Sequence, residues 1–160
     1  MTIKRIILSF IILISSLSAI AGGIGTWKSY LSYANIQWVE QGGNRLYVLA
    51  SNALYTYNKA DQSIQTYDKQ NGLSSIDIRF IGWNEVAKRL VIVYEDNNID
   101  LMDAKGNVTN VPDYYLKALT SDKTVYGIDM NGAYCYLSTG FGLVKLNVAK
   151  AEISDSYNLS

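Results

Sequence analysis

The sequence predicts an all-β protein: a partial β-propeller of about three four-stranded antiparallel blades, preceded by a signal-peptide helix. The main observation is a 44-residue echo, in which Arg45-Leu46-Tyr47-Val48-Leu49 returns as Arg89-Leu90-Val91-Ile92-Val93 and, more faintly, as Ala133-Tyr134-Cys135-Tyr136-Leu137. A second observation is that no helical spacing of apolar residues occurs after the first twenty residues. Self-similarity at about 40–45 residues, built from short strands, is typical of propeller blades.

The amino terminus has the pattern of a secretion signal over residues 1–21. Lys4-Arg5 form a positively charged start, and Ile6–Ile20 form an apolar run broken only by serines. Ala19-Ile20-Ala21 then matches the small-x-small cleavage pattern, which places Gly22 at the new amino terminus. The alternative is an uncleaved signal anchor, but the apolar run is shorter than the roughly 20 residues that a membrane span needs. We therefore expect export and cleavage before Gly22.

The first repeat unit is predicted over residues 36–67. Its runs are rich in Val, Ile, Tyr and Thr, which favour a pleated, half-buried surface. Residues that favour turns, such as Gly42-Gly43-Asn44 and Ser51-Asn52, separate the runs. The predicted strands are Ile36–Gln41, Arg45–Ala50, Ala53–Tyr57 and Ser63–Tyr67.

The second unit is predicted over residues 78–111. Asp96-Asn97-Asn98 is interpreted as a tight turn, because the calcium-loop alternative would need glycine where Leu101 stands and glutamate where Asn107 stands. Pro112 follows the fourth strand, an outer edge where proline costs least. The predicted strands are Ile78–Trp83, Arg89–Tyr94, Asn98–Met102 and Asn107–Val111.

The third unit is predicted over residues 124–156. Its second strand contains the single cysteine, Cys135, which we interpret as a small buried hydrophobe rather than a reactive thiol. The predicted strands are Thr124–Asp129, Ala133–Ser138, Gly142–Leu146 and Ala151–Ser156. One leucine recurs in each link between units, and this series supports duplication of a single unit: Leu31, Leu73, Leu116 and Leu159.

Three blades are too few for a closed ring, since closed propellers have at least four. We therefore expect residues 22–160 to be a propeller truncated before ring closure, with the remaining blades of a longer chain as its first partner. The outer faces of the first and third blades are expected to carry apolar residues for such neighbours. On this basis the isolated segment is expected to self-associate.

The composition argues against several classes of function. The chain has no histidine, which removes the usual general base and histidine-bearing metal sites. Its 14 basic and 14 acidic residues balance, so it lacks the positive charge of a nucleic-acid-binding protein. No carboxylate pair is fixed by spacing. The sequence therefore predicts no enzyme, no catalytic residue, no metal and no cofactor.

The aromatic residues are the remaining candidates for recognition. Thirteen tyrosines and three tryptophans are dense for this length, and such side chains suit both sheet packing and binding of sugars or proteins. Most are expected to pack within and between blades. Those in connections are the predicted recognition residues, because binding residues concentrate in loops: Trp27, Tyr30, Tyr33, Tyr114 and Tyr115.

Two stretches carry a resemblance to a known family. Leu46 to Tyr57, and Tyr67-Asp68-Lys69-Gln70-Asn71-Gly72-Leu73-Ser74-Ser75, resemble the amino-terminal β-propeller of PorZ-like proteins of Bacteroidota and, more widely, two-component-regulator propeller repeats. The resemblance implies a cell-envelope propeller, connected in some members with type IX secretion and with binding of surface lipopolysaccharide. In other relatives it implies the periplasmic sensing region of a hybrid histidine kinase. It carries over no catalytic residue.

Two functions therefore stay open. One is an exported binding scaffold at the periplasm or cell surface, associated with the outer membrane, with envelope proteins or surface glycan as partners. The other is a periplasmic ligand sensor. A polysaccharide-cleaving enzyme is disfavoured because histidine and paired acids are missing. Sequence downstream of Ser160 would separate the first two: a β-sandwich or sorting domain favours the scaffold, whereas a membrane span and kinase favour the sensor.

Overall fold

The computed structural model describes residues 34–158, which form three four-stranded antiparallel sheets in chain order. We call them the first, second and third blades. The first blade comprises β1 (Ile36–Gly42), β2 (Arg45–Ala50), β3 (Ala53–Asn58) and β4 (Ile64–Tyr67). The second comprises β5 (Ile78–Asn84), β6 (Arg89–Tyr94), β7 (Ile99–Asp103) and β8 (Val108–Asn110). The third comprises β9 (Val125–Asn131), β10 (Tyr134–Thr139), β11 (Gly142–Asn147) and β12 (Glu152–Asn158).

The all-β prediction is confirmed for the described residues. Their one helix is a single turn, α1 (Asp113–Leu116), in the link between the second and third blades. Within residues 34–158 no helix is long and apolar enough to cross a membrane. The predicted signal-peptide helix lies outside the described residues.

Each blade is a simple meander in which every strand pairs with the next along the chain. The first strands of neighbouring blades contact one another, β1 with β5 and β5 with β9, so these strands lie innermost. The fourth strands β4, β8 and β12 lie at the outer edges. Across residues 34–158 the sheets do not close into a ring, and the inner strands border an open groove along the propeller axis.

The second blade lies between the other two and is buried on both faces. All five residues of Leu90–Tyr94 in β6 are fully buried. Leu90, Ile92 and Tyr94 pack against the first blade, whereas Val91 and Val93 pack against the third. A strand covered on both faces needs apolar residues at every position, which explains this continuous run. The hydrophobic cores of the molecule are therefore the two spaces between blades.

Hydrogen bonds join the blades at both ends. At one end the amide of Ile78 donates to the carbonyl oxygen of Asn52, 3.0 Å away, in the turn between β2 and β3. At the other end the buried Asn84 donates through Nδ2 to the carbonyl oxygen of Gly132, at 3.0 Å, and Arg89 donates to that of Val148, at 3.2 Å. These bonds join the second blade to each of its two neighbours.

The repeat is less regular than the sequence echo indicates. The second strands of the blades begin at Arg45, Arg89 and Tyr134, so the third unit is aligned one residue later than a strict 44-residue step places it. The inner strands end at Gly42, Asn84 and Asn131, which are 42 and then 47 residues apart. Hairpins of different length cause this, because four residues join β5 to β6 whereas two join β1 to β2 and β9 to β10.

This one-residue offset decides which side chains the third blade buries, since side chains alternate between the faces of a strand. Cys135 and Leu137 pack against the second blade and are fully buried. Tyr136 shares the opposite, open face with its cross-strand partner Lys145. The open face is therefore mixed, with a cation and aromatic rings, rather than apolar as the sequence predicts.

The link leucines are also not equivalent. Leu73 is only 5 % exposed and belongs to the core between the first two blades, whereas Leu116 is 69 % exposed on α1. The recurring leucine therefore marks the link in the sequence without a shared environment, and Leu31 and Leu159 lie outside the described residues. Pro112 also does not end a strand, because β8 ends at Asn110 and Pro112 instead begins the helical turn.

Candidate functional site

The axial groove between β1, β5 and β9 is a concave feature of the described residues with a volume of about 640 Å³. We define it by the residues that give it chemical character: Trp38, Glu40, Arg79, Phe80, Trp83 and Asp129. Apolar side chains complete its walls, among them Leu49, Ile81 and Met130. A groove with apolar walls and a few polar groups is the usual form of a binding site.

Glu40 joins the two tryptophans on one wall. Its Oε1 accepts a hydrogen bond from Nε1 of Trp38 at 2.6 Å, and its Oε2 accepts one from the backbone amide of Trp83 at 3.3 Å. Trp38 and Glu40 are two residues apart in β1 and so lie on one face of the strand. The indole nitrogen of Trp38 is thus satisfied within the protein, while 57 % of the residue remains exposed. What Trp38 offers a ligand is its aromatic face.

Trp83 is held rigidly at the base of the same wall. Its ring stacks on Tyr47, with centroids 5.3 Å apart and planes 18° from parallel. The ring lies directly on the backbone of Gly42, where an added Cβ would meet a ring atom at 2.5 Å. Its Nε1 donates to Oε2 of Glu85 at 2.7 Å. Glycine at position 42 is therefore required by close approach of the indole.

Arg79 lies at the mouth of the groove and is already neutralised. Its guanidinium donates to Oε2 of Glu95 at 2.9 Å and lies 5.6 Å and 5.9 Å from the ring centroids of Phe80 and Tyr126. The hydroxyl of Tyr126 donates to Oδ2 of Asp122 at 2.8 Å, and this bond raises the pKa of Tyr126. The arginine is thus positioned by one carboxylate and two rings.

The remaining charges make the groove acidic. Glu40 and Asp129 both line it, and among residues 34–158 neither has an ion pair with a basic residue. The cation that lines it, Arg79, has its own carboxylate partner in Glu95. The described residues contain no group of three or more His, Cys, Asp or Glu side chains that could hold a metal ion. Its unpaired carboxylates would favour a cationic ligand over an anionic one.

The tyrosines predicted from the sequence lie elsewhere. Tyr114, on α1, is only 2 % exposed, and its hydroxyl donates to the carbonyl oxygen of Lys123 at 2.6 Å. Burial raises the pKa of Tyr114 to about 12. Tyr114 thus anchors the link, whereas Tyr115 beside it is exposed. Tyr115 as a recognition residue stays a prediction.

The other predicted site residues fall outside the described part of the chain. These are Trp27, Tyr30 and Tyr33, together with the cleavage-site residues Ala19, Ala21 and Gly22. The structure brings neither Tyr114 nor Tyr115 to the axial groove, whose lining comes from strands rather than from links.

Sequence reasoning missed Trp38, Glu40 and Arg79 because it searched the connections. A usable signal was present: β1 is innermost, yet it carries a tryptophan and a glutamate two residues apart on one face. An innermost strand borders the propeller axis, and polar or aromatic residues there line a groove rather than a core.

Comparisons with known proteins agree with this architecture. The family model described as "TSS9, PorZ, N-terminal beta-propeller domain" matches residues 46–160. No curated protein matches the sequence. Among solved structures, the chain is similar to PorZ of Porphyromonas gingivalis, an essential surface component of the type IX secretion system, at 33% identity with a TM-score of 0.76. That match covers 83% of this chain and 18% of PorZ.

Two more distant structures share the fold. They are extracellular domains of hybrid two-component systems of B. thetaiotaomicron, BT4673 at 16% identity and TM-score 0.60, and BT3049 at 15% and 0.58. These matches cover 78% and 85% of this chain, and 17% and 20% of the other. The chain thus spans about a fifth of the length of each of these three solved relatives.

Proposed function

Because the chain belongs to the family of PorZ amino-terminal β-propeller domains, we propose that it is a non-catalytic, exported module that binds partners in the bacterial cell envelope. The observation that carries this proposal is the axial groove, in which an exposed indole and two carboxylates face solvent on a rigid propeller scaffold. Rigid elements position a binding site more accurately than loops do.

The envelope setting is supported by the relatives. PorZ is described as a surface component of a secretion system, and the two B. thetaiotaomicron domains are described as extracellular. The sequence pattern before Gly22 supports export of this chain. More specifically, we propose that the partners of the chain are components of the type IX secretion system or surface glycans.

We further propose that additional blades cover the open faces of the first and third blades. The second blade supports this, because both of its faces are buried against neighbours of the same construction. Propeller blades derive much of their stability from such interfaces.

The alternative function is a ligand-sensing propeller of a two-component regulator. The similarity to the two extracellular domains of hybrid systems favours it, and the same groove would then receive the signal molecule. The two functions differ in the consequence of ligand binding. A sensor would transmit it to a signalling kinase, whereas a scaffold would hold its ligand within an envelope assembly.

The test is fractionation and affinity capture from cells that make the protein at its native level. We expect the protein in the envelope fraction, with an amino terminus at Gly22, and co-purifying with outer-membrane or secretion components. Recovery in the cytoplasm with Met1 intact would contradict export. Capture of a histidine kinase as the main partner would support the sensor instead of the scaffold.

A further inference from the structure

We propose that the axial groove binds a basic side chain, lysine or arginine, presented by a polypeptide partner. This inference rests on the proposed binding function and names the chemistry of what binds. Three independent features of the groove carry it: its charge, its exposed aromatic face, and the hydrogen bonds that are already made inside it.

The charge of the groove favours a cation. Glu40 and Asp129 line it without a basic partner among the described residues, and the arginine at its mouth is neutralised by Glu95. Glu40 is half-buried, so its field is less screened by solvent than that of a fully exposed carboxylate. An anionic ligand would meet two uncompensated carboxylates, which costs free energy at short range.

The aromatic face fits the same ligand. The indole N–H of Trp38 donates a hydrogen bond to Glu40, and this bond orients the indole so that its face stays open. Tryptophan is the strongest aromatic partner for a cation placed over its ring. A basic side chain lying along the indole would place its charged end near Glu40, which is bonded to that same ring.

The existing hydrogen bonds leave the charge of the groove intact. Glu40 accepts from the indole N–H of Trp38 and the backbone N–H of Trp83, and because both donors are neutral the carboxylate keeps its negative charge. A basic side chain therefore gains more from this groove than a neutral sugar does, since a charge-assisted contact is stronger than a neutral one. A volume of about 640 Å³ accommodates a long basic side chain with its flanking backbone.

The test measures binding of four short blocked peptides to the full chain. The probes are acetyl-Gly-X-Gly-amides in which X is lysine, arginine, norleucine or glutamate. The chain has three tryptophans, so each indole N–H signal can be assigned by NMR from single Trp→Phe variants. We expect the lysine and arginine peptides to shift the Trp38 signal saturably, and the norleucine peptide to bind about tenfold more weakly or not at all.

Matched variants show which carboxylates attract the basic side chain. Asp129→Asn and Glu40→Gln should each weaken binding of the lysine peptide about threefold, and the double variant about tenfold. Asp155→Asn makes the same chemical change on β12, outside the groove lining, and should leave the affinity unchanged. Raising sodium chloride from about 20 mM to about 500 mM should weaken binding, because salt screens the attraction.

Several results would overturn the proposal. These are equal binding of the norleucine and lysine peptides, no shift of Trp38 at millimolar peptide, or unchanged affinity in the double variant. Failure here leaves the envelope association measured by affinity capture untouched, so the two claims can fall separately.

Discussion

The buried carboxylate of Asp100 should be one of the most sensitive positions in the protein. Asp100 is fully buried in β7 and accepts three hydrogen bonds: from the hydroxyl of Tyr94 at 2.6 Å, the backbone amide of Ser74 at 2.8 Å, and Nδ2 of Asn110 at 2.8 Å. It thereby joins the link after the first blade to two strands of the second. We predict that Asp100→Ala strongly destabilises the fold.

The magnitude follows from what the substitution leaves behind. Alanine removes the acceptor of the buried Tyr94 hydroxyl and of the half-buried Ser74 amide, and each polar group left unsatisfied costs about 1–3 kcal/mol. Nδ2 of Asn110 keeps two acceptors, Oδ1 of Asn98 at 2.9 Å and the carbonyl oxygen of Ile99 at 3.0 Å, so it adds little. A total of about 4–5 kcal/mol is a large part of the typical stability of a domain. For a chain of this size, that loss lowers the melting temperature by roughly 10–20 °C.

The assay is thermal and urea denaturation followed by circular dichroism. Asp100→Asn keeps the shape and one acceptor oxygen and should cost about 2 kcal/mol, roughly half the effect of alanine. Asp155→Asn, on the exposed strand β12, should change stability by less than about 0.5 kcal/mol. If Asp100→Ala melts within about 3 °C of the parent, the reasoning that this network holds the link to the second blade is refuted.

Three further predictions concern packing and accessibility. In urea denaturation, Gly42→Ala should lower the free energy of unfolding by about 2–3 kcal/mol, because the new Cβ would displace the Trp83 ring. Gly43→Ala, where space is open, should lower it by about 1 kcal/mol through its positive φ alone, and equal losses for the two variants would contradict the Gly42–Trp83 contact. Arg89→Met should reduce hydrogen-exchange protection in β9–β12 more than in β1–β4, since it removes a donor to Val148; equal losses across blades would argue against a local tie. Burial raises the pKa of Cys135 to about 12, so native protein at pH 8 should resist iodoacetamide until urea unfolds it, and rapid native alkylation would show the thiol to be accessible.

The three-sheet architecture could be predicted from the sequence because each strand carries its own local signal. The run Leu90–Tyr94 is apolar throughout, as a strand buried on both faces must be, and turn residues bound the strand. The four-stranded unit is the smallest pattern that repeats, and it identifies the blade.

The register of the third blade could not be predicted, because the lengths of turns and links are not encoded by hydrophobic pattern alone. The extra residue enters between Arg89 and Tyr134, a stretch that contains the α1 link, so the third blade is shifted out of the 44-residue step that holds between the first two. In the third blade, alternating Tyr134, Cys135 and Tyr136 fit either register by size. Packing of Cys135 against Met130 and the second blade decides between them.

The candidate site was predicted less well than the fold. Tyr114 and Tyr115 are neighbours in the sequence and aromatic alike, yet one is buried under its link and the other is exposed. Their difference comes from the path of the link over the third blade. Trp38 and Glu40 line the groove because β1 is the innermost strand of its blade. That position follows from how the blades pack together, and the local sequence does not show it.

The most direct test of the account is photo-crosslinking from the axial groove in living cells. Benzoylphenylalanine at position 80 replaces Phe80 conservatively in the groove, and the same residue is placed for comparison at Tyr115 on α1 and at the exposed Ile64 on β4. We expect an adduct with an envelope polypeptide from position 80 that is absent from position 64 and is lost in the Glu40→Gln, Asp129→Asn background. No adduct from position 80, or one unaffected by removing both carboxylates, would contradict it.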